Sequence, residues 1–343
     1  MNPARTSRRL LGKTKLLVLG EKDRVWHQEV NHLIEHLSEG DLVVANRSAT
    51  LPSSFRGKLQ RTGAFVEVRL AAFQGPDVSD LSHWLAFAFG EGDWRVPTED
   101  RKLPPELVRG DRILFGSDLS AQVLDCVKSR LLRIRFESPF LEQSLYRYGR
   151  PIQYSYLKED LAVWDQQTLF SGPPISVEPP SASFPLTWEL MLKLKRKGVV
   201  VASLLHGAGI SSTGDAGLDA LLPLAEWYSI PQTTSDAFLR AKARGSQVIA
   251  LGTTVLRAME SAWDGTSLRQ GSRLTQLKVR PGDRIQTATG MVTGMHEIGT
   301  SHMNILDSFC STKHIREAYE QAKAHRYLGH EYGDIALLRC RRR

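Results

Sequence analysis

Three cysteines, Cys126, Cys310 and Cys340, are all that this chain of 343 residues carries. Their number is odd, their spacing is wide and none forms a CxxC pair. Neither a disulfide framework nor a sulfur-rich metal finger is therefore expected, and the thiols read as reduced. No run approaches the roughly 20 apolar residues of a membrane helix. The opening "MNPARTSRRLLGKTKLLVLG" is basic but lacks the apolar core and small-residue cleavage site of a signal peptide. No repeat or low-complexity tract is visible. A cytoplasmic, monomeric protein without a membrane partner is expected.

What is present is ordinary for a globular enzyme: 41% apolar and 24% charged residues. The length suffices for two domains, or for one large domain with an insertion. Lys and Arg number 45 against 37 Asp and Glu, a net charge of +8. That balance permits a polyanionic partner such as RNA. The charge is scattered, however, and only the tail "RCRRR" forms a block, which is more often a solvated end than a binding element.

Apolar spacing in "EVNHLIEHLSEG" (Val30, Leu33, Ile34, Leu37) predicts a helix stopped at Gly40, followed by a buried strand "DLVVAN" ending at Asn46. From "GAFVEVRL" to Phe136, short alternating segments recur at about ten-residue intervals between Gly, Pro and Asp clusters, the rhythm of a small antiparallel barrel. After the Pro-rich "SGPPISVEPPSASFP", helices alternate with fully apolar strands: "LTWELMLKLKRKG" with Thr187 as N-cap, "VVVASLL", "TTSDAFLRAKARG" capped by Thr233 or Thr234, "QVIAL" and "VLRAMESAW". This alternation predicts an α/β fold with a mainly parallel sheet and helices on both faces. Residues 1–60 and 147–343 form that main domain, and residues 61–146 are an inserted β-barrel domain. Trp84, Trp94 and Trp164 are expected in cores, and His325 and His330 exposed or structural.

In open α/β sheets ligands bind beyond the carboxyl ends of the strands, and three loops qualify. "LLHGAGISSTGD" delivers His206 at a strand end, followed by glycines and hydroxyls; a tight turn with a hydrogen-bonded histidine fits as well. "ALGTTVLRAMES" sets Gly252, Thr253 and Thr254 at a helix N-terminus, where free amides favour carboxylate or phosphate. Either threonine also suits a plain N-cap, and Arg257 with Glu260 suits a same-face ion pair. The third, "ATGMVTGMHEIGTSH", holds His296, Glu297 and His302. It lacks a third ligand at metal-site spacing, so acid–base or hydrogen-bonding histidines are expected rather than a metal.

Several stretches in order along the chain resemble one family, the S-adenosylmethionine:tRNA ribosyltransferase-isomerases of queuosine biosynthesis. They are "EGDLVVAN" with Pro52 and Gly57, "QTLFS", "KGVVVASLLH", "AKARGSQVIALGTTVLRAMESA" and "AYEQAKAHRYLGHEYGDIALL". The resemblance implies an α/β main domain carrying an inserted β-barrel. It also implies transfer of the ribosyl part of S-adenosylmethionine to a 7-aminomethyl-7-deazaguanine in tRNA, with rearrangement to an epoxycyclopentanediol and loss of methionine and adenine. Proton removal beside the sulfonium needs a general base, and neither a metal nor a further cofactor is implied. Departures are equally specific. In the family's "NxTRVxPAR", Ala49 and Ser54 stand here for two arginines. Pro185 stands for the histidine of "APTAGLHF", and Leu224 stands where a histidine often precedes the glutamate matched by Glu226. In "TNFHLPxST", Thr293, His296 and Ser301 match, while Gly294 replaces the asparagine.

Taken together, the residues and the resemblance point to His206 and His296 as proton-handling groups, with Glu226 as the competing carboxylate. Asn46, Gly252, Thr253, Thr254, Arg257, Thr293, Ser301, His302, Tyr332 and Asp334 are the candidate substrate contacts. S-adenosylmethionine, as substrate, and tRNA are the expected partners. Two alternatives remain open at this point: a paralogue acting on a small-molecule acceptor, and a homologue that binds ligand or RNA without turnover.

Overall fold

The computed structural model describes residues 1–7, 13–128, 130–213, 215–296 and 301–339, with the side chains of Lys22, Ser301 and His302 excepted. Numbering strands along the chain, the main sheet runs in the spatial order β15 (Gly271–Thr275), β13 (Glu226–Ile230), β12 (Val200–His206), β4 (Leu42–Asn46), β14 (Val248–Leu251), β16 (Gly290–Gly294), β18 (Ile335–Arg339), β2 (Lys15–Leu19) and β3 (Val25–Glu29). It is mixed rather than mainly parallel. The β12–β4, β4–β14, β14–β16 and β18–β2 pairs are parallel, and the β15–β13, β13–β12, β16–β18 and β2–β3 pairs antiparallel. The apolar runs that suggested a parallel sheet are its central strands. Their apolarity reports burial on both faces, which strand direction does not alter.

Alternate side chains of these strands enter two separate cores. Leu17, Leu42, Val44, Val248 and Ala250 pack with α4 (Gln232–Ala243), α5 (Thr253–Ala262) and α7 (Thr312–Ala324). Leu16, Val43, Ala45, Ile249 and Leu251 pack with α2 (Trp188–Arg196) and the segment Val30–His36. That segment is a 3-10 helix, not the expected α-helix, and it closes with a Leu37 N–H to Ile34 carbonyl bond. Thr187 caps α2, accepting from the Leu190 N–H at 3.2 Å. Neither threonine caps α4. Pro231 precedes it, and the Thr234 hydroxyl instead donates to the Ser203 carbonyl at 2.6 Å.

Strands β5 (Ser54–Leu59), β6 (Phe65–Phe73), β7 (His83–Phe89), β10 (Leu131–Glu137), β9 (Ser120–Lys128) and β8 (Arg112–Leu114) pair antiparallel in that order, and β8 returns to β5 to close a barrel. At the closure a Cβ on Gly57 would lie 2.5 Å from the Leu114 carbonyl oxygen, so only glycine lets the two backbones meet. α1 (Leu141–Tyr148) and β11 (Gly149–Arg150, on β5) lead back to the main domain, and β1 (Asn2–Pro3) pairs with β17 (Leu328–Gly329). Two short helices, α3 (Ala216–Asp219) and α6 (Ser301–Asp307), complete the α-helices among the described residues. Trp84 is fully buried in the barrel core. Trp94 is only partly covered, its indole N–H reaching Asp160 at 2.8 Å, and Trp164 is 67% exposed because its 3-10 turn buries Asp165 and Gln166 instead.

Two buried polar clusters hold these layers. At the ends of β4 and β12, Asn46 accepts from the His206 N–H at 3.0 Å and donates to the His206 carbonyl at 2.8 Å. In the barrel, Glu67 receives Arg69 and Arg101, each at 2.8 Å, with all three side chains at most 2% exposed. Burial pushes the Glu67 carboxyl up, but the Arg69 and Arg101 guanidiniums more than offset this and hold it below its ordinary value. Urea unfolding checks both clusters. Asn46→Ala is expected to cost ~1–3 kcal/mol by orphaning buried backbone groups, and Glu67→Ala ~3–5 kcal/mol by leaving two arginines buried without their counter-charge.

Candidate active site

The carboxyl ends of β12, β14 and β16 face the same way, and antiparallel β13 brings its first residue, Glu226, to that end of the sheet. A cavity of about 1000 Å³ opens there, walled on one side by the loops after these strands and on another by the barrel's Thr98–Asp100 turn. Of the expected residues, Glu226, Gly252, Thr253, Thr254, Arg257, Thr293 and His296 line it.

Glu226 is 5% exposed and fully engaged. Its Oε1 accepts from the Gly209 N–H at 2.8 Å, and its Oε2 pairs with Arg257 Nη1. Arg257 thus spans from α5 to β13, and its Nε donates to the Leu277 carbonyl at 2.9 Å. Its remaining Nη2 is buried and has no partner among the described residues. The expected Arg257–Glu260 pair does not form, because Glu260 turns to the Gln286 and Thr287 amides at 3.0 and 2.8 Å. Gly252, at φ 92°, turns the chain from β14 into α5 with neither threonine capping. The first amides of the helix and the Thr253 and Thr254 hydroxyls are therefore available to an anionic or hydroxylated ligand. On β16, Thr293 Oγ1 lies 2.9 Å from His296 Nε2, which orients the imidazole at the cavity wall.

Four expected contacts lie behind the wall instead. His206 is fully buried, with Nε2 3.3 Å from Glu226 Oε2, and among the described residues neither ring nitrogen makes a hydrogen bond. Burial lowers its pKa to about 4, against the opposing pull of Glu226, so the ring is neutral at physiological pH. Asn46 is occupied by the His206 backbone. Asp334 is occupied too, accepting from the Lys15 N–H at 2.7 Å and the Leu328 N–H at 2.8 Å. Tyr332 is buried, its ring stacked 5.3 Å from Phe184. The Ser301 and His302 side chains, and Glu297, lie outside the described residues. Among the described residues no group of three His, Cys, Asp or Glu is placed to hold a metal ion.

The positions of the missing arginines are also accounted for. Ala49 is buried, and Ser54 donates to Glu67 at 3.0 Å, joining the barrel's ion cluster. Glu178, Glu331, Tyr154 and Tyr156, which were not among the expected residues, also line the cavity, as does His330, which was expected to be exposed or structural. A lone glutamate inside the Pro-rich "SVEPP" was the available signal for the first. Nothing local marks the others, because it is the fold that brings residues 154–156, 178 and 330–331 to one wall.

The profile of the family described as "Queuosine biosynthesis protein" matches residues 3–338. The S-adenosylmethionine:tRNA ribosyltransferase-isomerase of Deinococcus radiodurans is 28% identical over 335 residues, which cover 95% of this chain and 88% of that one. The protein of the same name from Thermus thermophilus is 30% identical over 326 residues, covering 92% and 89%. The crystal structure of an S-adenosylmethionine tRNA ribosyltransferase from Thermotoga maritima covers 98% of this chain and 95% of its own with a TM-score of 0.50 at 22% identity, a likeness of fold. With a family profile spanning nearly its whole length and relatives matched end to end, the chain belongs to the queuosine biosynthesis protein family.

Proposed function

We propose that this protein transfers and isomerises the ribosyl moiety of S-adenosylmethionine onto a 7-aminomethyl-7-deazaguanine in tRNA, releasing adenine and methionine. The observation that carries the reading is the cavity. In a chain of this family, one space at the sheet's carboxyl end gathers an anchored carboxylate, an oriented imidazole, a helix N-terminus and the Arg257 side chain. The names of the curated relatives favour tRNA over a small-molecule acceptor and favour turnover over simple binding. The reading carries with it a cytoplasmic location and action as a monomer.

The chemistry divides among these groups. A sulfonium acidifies the adjacent C5′, and His296, held through Nε2 by Thr293, has its ring at the cavity wall to accept the proton removed there. Glu226 is bound to Arg257 and Gly209. It serves as a fixed negative charge beside the sulfonium, with neutral His206 behind it excluding water. Arg257 Nη2 and the start of α5 receive the carboxylate or hydroxyls of the donor.

Incubation with S-adenosylmethionine, with and without tRNA carrying the aminomethyl base, followed by mass spectrometry for adenine, methionine and modified nucleoside, tests the reading. Products are expected only with that tRNA. Turnover without RNA would instead establish a small-molecule acceptor, and no turnover with either would leave a binding homologue. In the same assay His296→Ala is expected to lower kcat by ~10²–10⁴-fold, the usual range for a lost acid–base group. Arg257→Ala should raise KM for S-adenosylmethionine as well as lower kcat. It is also expected to destabilise the fold by ~3–5 kcal/mol, since Glu226 is left buried without its counter-charge.

A further inference from the structure

Glu178 and Glu331 stand on the wall of this same cavity, and neither has a role in the chemistry above. Glu178 Oε1 accepts from the Tyr154 hydroxyl at 2.6 Å and from the Ser211 N–H at 3.0 Å. Since Gly209 in the same loop anchors Glu226, one short segment sets two carboxylates side by side. Glu331 lines the same cavity, and among the described residues no hydrogen-bond donor or cation is paired with it. Burial, reinforced by the like charge of Glu178, pushes Glu331 up to about 8; burial also raises Glu178, only partly offset by the bonds from Tyr154 and Ser211. The other titratable groups that feel Glu331 are Tyr154, Tyr156 and Tyr332, and its chain neighbour His330 packs 4.7 Å from Tyr156. Tyr154 and Tyr156 stack at 6.1 Å and 8°, adding two electron-rich rings to the acidic wall.

A second, independent observation points to a ligand in this space. Arg257, only 8% exposed, lines the cavity with its Nη2 unpartnered. A buried donor without an acceptor in the same cavity as a carboxyl pair without a cation describes a ligand bearing both kinds of charge. The buried donor is costly unless something bound satisfies it.

We propose that Glu178 and Glu331, flanked by Tyr154 and Tyr156, form a subsite that receives a positively charged centre of the substrate, an onium or primary ammonium group. The inference rests on the proposed function, whose donor carries a sulfonium and an α-ammonium and whose acceptor carries an aminomethyl group. A cation entering between the carboxyls favours their ionised forms, and any proton it displaces leaves to solvent, so charge and protons balance.

Calorimetry on the full-length protein near pH 7, in two buffers of different ionisation enthalpy, reads the released proton directly. It is run with S-adenosylmethionine and with S-adenosylhomocysteine, which lacks the sulfonium charge, alongside KM for the tRNA. The wild type is expected to release protons on binding. Glu331→Gln and Glu178→Gln are expected to abolish this and to weaken binding at least about ten-fold, the scale of a lost buried charge contact. A defect confined to S-adenosylmethionine assigns the sulfonium, and one shared with S-adenosylhomocysteine assigns the α-ammonium. Intact binding of both with KM for tRNA raised about ten-fold assigns the aminomethyl group. Melting curves of the ligand-free proteins control for folding. A carboxyl raised on folding binds more protons in the native state, so wild-type stability should fall as pH rises from about 4.5 towards about 8, and Glu331→Gln should flatten that slope. If both variants match the wild type in proton release, affinity and KM while turnover is normal, the inference is overturned alone. A wild type that binds no S-adenosylmethionine overturns the proposed function and the inference together.

Discussion

A carboxylate removed from water must be neutralised or hydrogen-bonded, and the way Glu226 meets that requirement organises this end of the molecule. Its partners come from two places, Arg257 on α5 and Gly209 in the loop after β12, while the neutral His206 ring at the end of β12 packs behind it with Nε2 3.3 Å from Oε2. Each must be within a few ångströms of one carboxyl group, so the helix, the loop and two strands are fixed relative to one another. Gly209 also has no room for a side chain, since a Cβ there would meet the Ala71 carbonyl oxygen at 2.5 Å. That close approach seats the loop against barrel strand β6. The ion pair therefore ties the main sheet to the insertion as well as to its own helices.

The cavity follows from that arrangement. Because β13 runs antiparallel to β12, a residue at its beginning reaches the same sheet end as residues at the ends of its neighbours. Loops from both sides of the sheet and a turn of the barrel then enclose a space that no one element would form. Acidic groups, the imidazoles of His296 and His330 and the Arg257 guanidinium line it, while Lys278 and Arg280 at the rim are exposed. The interior thus suits a cationic small group and the rim suits a polyanion, which is the charge distribution of a sulfonium donor meeting RNA.

Much of the fold was legible because local signals and tertiary structure agree. The ten-residue rhythm of short alternating strands is a barrel, and "QVIALGTTVLRAMES" is a buried strand, a glycine turn and a helix. Where the reading failed, a partner distant in sequence had claimed the residue. Thr234 left its cap for Ser203, Glu260 left Arg257 for the 286–287 amides, and Trp164 was displaced by polar neighbours that the interior bonded better. His206 and Asn46 were visible as residues of interest, but their placement behind the wall depends on hydrogen bonds spanning 160 positions.

The order of residue types along the chain determined the family, the barrel insertion, the strand–glycine–helix turn and the cluster of reactive types near the strand ends. Those are properties of local spacing and of motifs, and they survive without knowledge of direction or distance. Tertiary structure alone decided that half of the main sheet's strand pairs run antiparallel, that Glu226 rather than His206 reaches the cavity, and that Glu178 and Glu331 line the same cavity. Strand direction is set by connections and packing, and the meeting of two carboxylates 153 residues apart in the chain is set by how loops fold over the sheet end. Neither leaves a trace in the composition or periodicity of the segments involved.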